Sequence, residues 1–398
     1  MKKLLVLTVI SLLMAGTSIA QSCMTDVWMC LQNKQVGKAK KLLEECMPGN
    51  EQNAELWLMR GNVYLQRYED ELERQKTNPK YIIKDTDAIW IANESFFKAV
   101  ELNPNVEPKP GLLDALTGQI LCARPFYIIG QEAKKNKQWE KAYKYLNAAA
   151  KSLKLDKENT NIAQDLGYLY FDLSQIAIQL NQPENYKAML LEATKVKTPV
   201  PEIYLLLYDL YKSENDTIRC GEIIATAKKN VPAERVIMIQ ELELEYYVMT
   251  GDLEKLNAAT DKLAIEYADS AAFLAKLALY MTNSDQFQKA ESYLEKGLAV
   301  DSTNFELNQQ MGYRYFFEAI TYQNLMDKAT EERNWDKLRE LKETEKIVLE
   351  KAHTWVEKAY IINNNDRENN IMLQQLKVKL IKEVPQELKD KVDSYKQE

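Results

Sequence analysis

The chain is poor in the residues that bend a backbone, with 12 glycines and 11 prolines in 398 residues. Sheet proteins spend many of both on turns, so the scarcity favours long helices joined in short-looped hairpins. Histidine is scarcer still. His353 stands alone, which excludes most zinc sites and the Ser-His or Cys-His relays that need imidazole as ligand or base. There is no G-x-G, so neither a dinucleotide fingerprint nor a phosphate-cradling loop is present in its usual form; C-x-x-C and H-E-x-x-H are missing too. His353, beside Ala352, reads as a surface residue, and carboxylate pairs such as Glu243 and Glu245 as solvated helix faces. No catalytic residues, metal or cofactor are expected.

What is present is ample core material: 46% hydrophobic against 28% charged residues, which does not fit a disordered chain. The start, Met1-Lys2-Lys3 followed by an apolar run from Leu4 to Ala15 and then Ser18-Ile19-Ala20, has the three regions of a secretory signal peptide. Cleavage is expected after Ala20. The competing reading is lipoprotein processing at Cys23, although Ala20 stands where such sites usually carry Leu. Removal of Lys2 and Lys3 leaves 50 basic against 59 acidic residues. A net acidic chain without a basic stripe argues against nucleic acid as partner. No other run approaches transmembrane length. An exported, periplasmic protein is expected, with a lipid-anchored form at Cys23 as the alternative.

Self-similarity at a fixed period organises the rest. On a 34-residue frame from Pro201, positions 4, 7, 11, 24, 27 and 32 hold Tyr204, Leu207, Tyr211, Ile224, Ala227 and Pro232. From Ala271 the frame gives Leu274, Leu277, Ala278, Phe287, Ala290, Leu294 and Gly297; from Phe305 it gives Met311, Gly312 and Tyr315. The N-terminal half agrees: Trp57, Gly61 and Tyr64; Phe126, Gly130, Trp139, Ala142, Leu146 and Ala149; Leu166, Gly167 and Tyr170. In this succession the chain resembles the tetratricopeptide repeat (TPR) proteins. Small residues at 8, 20 and 27 let paired helices approach, large ones fill the seam, and proline at 32 stops the second helix.

The resemblance implies an all-α, right-handed solenoid of about eight hairpins, with units near 21–53, 54–106, 123–159, 160–200, 201–234, 237–270, 271–304 and 305–366. Residues 367–398 would then form a capping helix, Glu368 to Lys382, with Lys377, Lys379 and Lys382 turned to water, and a tail whose last residues Lys396, Gln397 and Glu398 fray. Two insertions, near Tyr68–Ile89 and Tyr322–Ile347, separate the first and second helix of a repeat. The second is rich in Glu, Lys and Leu and predicts a pair of lengthened helices. Both read as solvated projections, with a partner-docking surface as the sharper alternative. In the frame Cys23 falls at 4 and Cys46 at 27, positions that face one another when the hairpin closes. A Cys23–Cys46 disulfide is therefore expected, with Cys30–Cys46 and free thiols left open.

The family binds extended or helical peptides along a concave groove lined by first-helix positions 2, 5, 9, 12 and 13. Carried across, these are Leu58, Asn62 and Gln66; Tyr127 and Gln131; Gln164, Tyr168 and Phe171; Asp209 and Lys212; Glu241 and Glu245; and Gln309, Tyr313, Phe316 and Phe317. The Lys and Asn set that clamps C-terminal carboxylates in the family is absent. Exposed aromatics suit binding hot spots and also sugar-stacking platforms, or they fill seams between repeats. The implied function is a non-catalytic scaffold for a protein or peptide in the bacterial cell envelope. The alternative is a glycan-capture or outer-membrane complex accessory protein, and a hydrolase is a third possibility that would need clustered carboxylates.

Overall fold

The computed structural model describes residues 22–85, 87–382 and 384–395. The expected signal peptide, 1–20, and the expected frayed tail, 396–398, lie outside the described residues. Among those described, all regular structure is helical and there is no strand. The chain divides into two compact units, one running through Glu214 and including Ala225–Val236, the other comprising Asn215–Ile224 and Ile237 onward.

The first unit contains α1 (22–32), α2 (Val36–Cys46), α3 (Ala54–Thr77), α4 (Ala88–Leu102), α5 (Ala115–Lys135), α6 (Trp139–Leu153), α7 (Ile162–Gln179), α8 (Pro183–Lys195) and α9 (Pro201–Ser213). The helix α10 (Thr217–Asn230) contributes residues to both units. The second unit holds α11 (Ile237–Thr250), α12 (Leu253–Glu266), α13 (Ala271–Thr282), α14 (Phe287–Val300), α15 (Phe305–Glu331), α16 (Trp335–Ile362), α17 (Arg367–Lys379) and α18 (Gln386–Ser394). Within each unit consecutive helices pair into hairpins, and the second helix of one packs on the first helix of the next, as α4 does on α5 and α14 on α15. This is an all-α array of helical hairpins.

Two local rules build it. Five first helices carry a side-chain N-cap: Asn53, Asp114, Ser270, Asn304 and Asp366 each accept from the backbone N–H three residues on, a contribution of about 1 kcal/mol apiece. Outside the α3–α4 insertion the turns inside hairpins are closed by one left-handed residue, and among the described residues glycine takes that place only at Gly251. Elsewhere Lys34, Lys137, Asn181, Asn215, Asp285 and Arg333 adopt it. Left-handed backbone is tolerated here outside glycine, so tight hairpins form in a glycine-poor chain. Glycine is kept for close approach. Phe96, fully buried, lies against both Gly61 and Gly118, where an added Cβ would stand 2.6 Å and 2.4 Å from its ring.

The insertions differ. Near 68–89 the first helix, α3, is prolonged to Thr77, and the return strap 78–85 is stapled back by carboxylates. Buried Glu71 accepts from the Lys84 N–H at 2.7 Å and the Tyr81 hydroxyl at 3.0 Å, while Asp85 accepts from Arg67 at 2.5 Å and Lys40 at 3.0 Å. Near 322–347 both helices lengthen, to 27 and 28 residues, with Met326, Ala329 and Leu341 buried between them.

Two expectations need correction. His353 is buried at 5% exposure, because α17 packs on α16. The C-terminal cap is two helices, α17 and α18, and Lys377 is not turned to water: it donates to Glu357 at 3.0 Å with its side chain 12% exposed. Among the described residues no helix is long and apolar enough to cross a membrane.

Candidate functional site

One cleft lies wholly in the first unit, a space of about 500 Å³ between α5 and α7 with α6 as its floor. The two walls are first helices of successive hairpins and run in the same direction. Tyr127 on α5 and Tyr168 on α7 line it, each 45% exposed. Ala149 and Leu153 of α6, with Ile120, Ala123 and Leu169, supply further apolar lining. One end of the cleft is latched. Asp172 on α7 accepts from Lys134 at 2.6 Å and from the Gln131 amide, both on α5.

Charge on the walls follows the helical period. Arg124 precedes Tyr127 by three residues and Asp165 precedes Tyr168 by three, so each tyrosine has a charged side chain one turn away on its own face. Asp156 adds a second carboxylate; its Oδ1 accepts from the Glu158 and Asn159 N–H groups at 3.2 Å. Asp165 accepts from the Asn159 amide at 3.0 Å. Among the described residues neither carboxylate has a cationic partner, and Arg124 has no anionic one.

Of the residues expected to line a groove, Tyr127 and Tyr168 share this cleft, with Gln131 half-buried at its latch and Gln164 exposed on α7. Phe171 is half-buried. Three expectations are overturned by burial. Leu58 is 2% exposed in the core of α3. Asn62 is buried because it reads the backbone of a distant loop, accepting from Leu113 N–H at 2.8 Å and donating to Leu113 C=O at 3.0 Å. Gln309 is buried, its amide donating to Asp366 at 2.9 Å. Gln66 is exposed on α3. In the second unit Tyr313 and Phe316 are half-buried, and Phe316 sits edge-on to Phe317 with ring centroids 6.0 Å apart. Burial, followed by the Glu368 and Asp366 carboxylates, pushes the Tyr313 hydroxyl well above the usual tyrosine range.

Sequence reasoning missed Arg124, Asp156, Asp165 and Asp172. Arg124 and Asp172 stand at positions 2 and 13 of their repeat frames, where the resemblance already places groove residues, so that signal was there to be used. At the N-terminus the structure joins Cys23 to Cys46 by a disulfide, with Cα atoms 6.3 Å apart, while Cys30, Cys122 and Cys220 are buried and outside any disulfide. Closing a loop of 23 residues' separation contributes about 3 kcal/mol in the chain-entropy account. No group of three or more His, Cys, Asp or Glu placed to hold a metal ion occurs among the described residues.

No protein-family model matches the chain, and no curated protein sequence does. Solved structures do. The chain is similar to yeast Tom70 at 11% identity, covering 91% of this chain and 89% of that one, with a TM-score of 0.38. A TPR repeats protein from Bacteroides fragilis matches at 16% identity over 80% of this chain and 98% of its own, TM-score 0.25. PilF from Pseudomonas aeruginosa matches at 14% identity over 64% and 95%, TM-score 0.27.

Proposed function

We propose that this chain is a non-catalytic scaffold that holds a protein or peptide segment in the cleft between α5 and α7. The observation that carries the reading is the pair Tyr127 and Tyr168, two aromatic rings left nearly half exposed on facing walls of a cleft with an apolar floor. Aromatic side chains bury much area at little rotamer cost, which is what binding hot spots use. The volume falls within the range of ligand clefts, about 300–1,000 Å³, enough for one or two side chains of a bound segment. The work is done by shape and contact. The site of action we assign is the bacterial cell envelope, reached by export and cleavage after Ala20. With Cys23 bonded to Cys46 its sulfur is committed, so the soluble form is favoured over the lipid-anchored one.

The test is selection from a phage-displayed library of random 12-residue peptides on the purified chain, with a Tyr127→Ala, Tyr168→Ala double variant alongside. Peptides enriched on the wild type and at least tenfold less on the variant are expected, with unchanged circular dichroism. Equal enrichment on both proteins would remove the cleft from the reading. An oligosaccharide array run in parallel addresses glycan capture, and binding there that depends on the two tyrosines would replace the peptide reading.

A further inference from the structure

Resting on that reading, we infer that the α5/α7 cleft selects cationic peptides, those in which Lys or Arg neighbours the apolar or aromatic side chain seated between Tyr127 and Tyr168. Four charged residues line the cleft, and they are not equivalent. Asp172 is spent on the latch, neutralised by Lys134 at 2.6 Å. That leaves Arg124 against Asp156 and Asp165, an excess of one negative charge beside the apolar surface. Both carboxylates accept only neutral N–H donors, from the 158–159 backbone and the Asn159 amide, so neither is offset by an ion pair. Those bonds also fix them. Asn159 donates its backbone N–H to Asp156 and its side-chain amide N–H to Asp165, tying the α6–α7 turn to the α7 wall. A preorganised pair of carboxylates attracts an incoming cation without having to be ordered first.

The spacing supports a short motif. Asp165 and Tyr168 lie three residues apart on one helix face, about 5–6 Å between Cβ atoms. A residue stacked on Tyr168 and a basic residue next to it or one further along can engage both at once. An ammonium or guanidinium near Tyr168 also gains from the ring itself. An anionic peptide would meet only Arg124, and would face two uncompensated carboxylates.

The experiment uses the full chain and a library of N-acetylated, C-amidated decapeptides with a fixed central Trp and flanks drawn from Lys, Glu, Gln, Ala and Gly. Lys is expected to exceed Glu by about fivefold or more at positions beside the Trp, the scale of one or two partly exposed ion pairs. The preference should shrink as salt rises from 0.05 to about 0.5 M, as screening requires. Asp165→Asn with Asp156→Asn should abolish the preference and leave the Trp requirement. Lys and Glu recovered equally, or Glu in excess, overturns the inference while the scaffold reading stands, provided recovery still needs Tyr127 and Tyr168. A preference that survives the double Asn variant also overturns it. No enrichment of any peptide brings down the underlying reading as well.

Discussion

Two stretches carry nearly the same phrase, Gly167-Tyr168-Leu169-Tyr170-Phe171 on α7 and Gly312-Tyr313-Arg314-Tyr315-Phe316 on α15, and the fold uses them differently. The glycine and the second tyrosine behave alike: both glycines sit at close approaches, and Tyr170 and Tyr315 are buried at 5% and 6% exposure. The first tyrosine does not. Tyr168 is 45% exposed in a cleft, whereas Tyr313 is half-buried, with Gln309 on its helix bonded to Asp366 at the start of α17. The middle residue differs most. Leu169 is apolar lining, but Arg314 is buried between Glu291 at 2.9 Å and Glu318 at 2.5 Å, its guanidinium 4.1 Å from the Tyr315 ring centroid. A repeat position therefore dictates what faces the partner helix. What faces outward is decided by the neighbouring hairpin.

The largest effect that would sharpen the comparison is at the glycines. At Gly312 an added Cβ would stand 2.4 Å from Val356 Cγ2 and 3.1 Å from the Val356 backbone nitrogen; at Gly167 it would meet Thr198 Oγ1 at 1.9 Å. Overpacking costs about 1–3 kcal/mol, against about 1 kcal/mol recovered from helix propensity. Gly312→Ala should lose about 2 kcal/mol in urea denaturation and keep most of that loss in a Val356→Ala background, because backbone cannot be trimmed. Gly167→Ala should be relieved in part by Thr198→Ala, which removes the Oγ1 contact at 1.9 Å and leaves the Thr198 Cβ at 2.9 Å. Equal rescue at both sites would break the distinction. A smaller effect separates the tyrosines: Tyr313→Ala is expected to cost about 1–2 kcal/mol, and Tyr168→Ala about 0.5 kcal/mol or less. Equal losses would mean that Tyr168 is a packing residue and not a binding one.

The hairpin fold was legible because its determinants are local. Gly61, Gly130, Gly167 and Gly312 fall at one frame position, and the composition of 322–347 announced two long helices. Asn62 and Gln309 were illegible as buried residues because their partners, Leu113 and Asp366, lie 51 and 57 residues away. A polar side chain at an outward position looks solvated until a distant loop claims its hydrogen bonds. The turn residues Lys137 and Arg333 gave no signal either, since neither is a usual left-handed residue. Of the cleft, the tyrosines were found and the charges that set its sign were not.

The smallest effect tests the packing of α17 on α16. His353 is buried on α16, its Nδ1 3.9 Å from the Glu357 carboxylate. Burial, followed by the Lys382 charge and then Lys377, lowers its pKa below the usual 6.5, against the opposing pull of Glu357 and Glu350. The folded state thus holds this proton less tightly than the unfolded chain. Its contribution to stability is complete above the unfolded-state pKa of about 6.5 and is lost as pH falls below that value toward the lowered folded one. Below pH 6.5 the second unit should therefore lose stability in a way that His353→Gln, which cannot titrate, does not show. Hydrogen exchange of α17 amides followed from pH 7 to 5, after correction for intrinsic rates, would read the difference. An identical pH dependence in wild type and variant would mean that acid does not act through the seam that distinguishes Tyr313 from Tyr168.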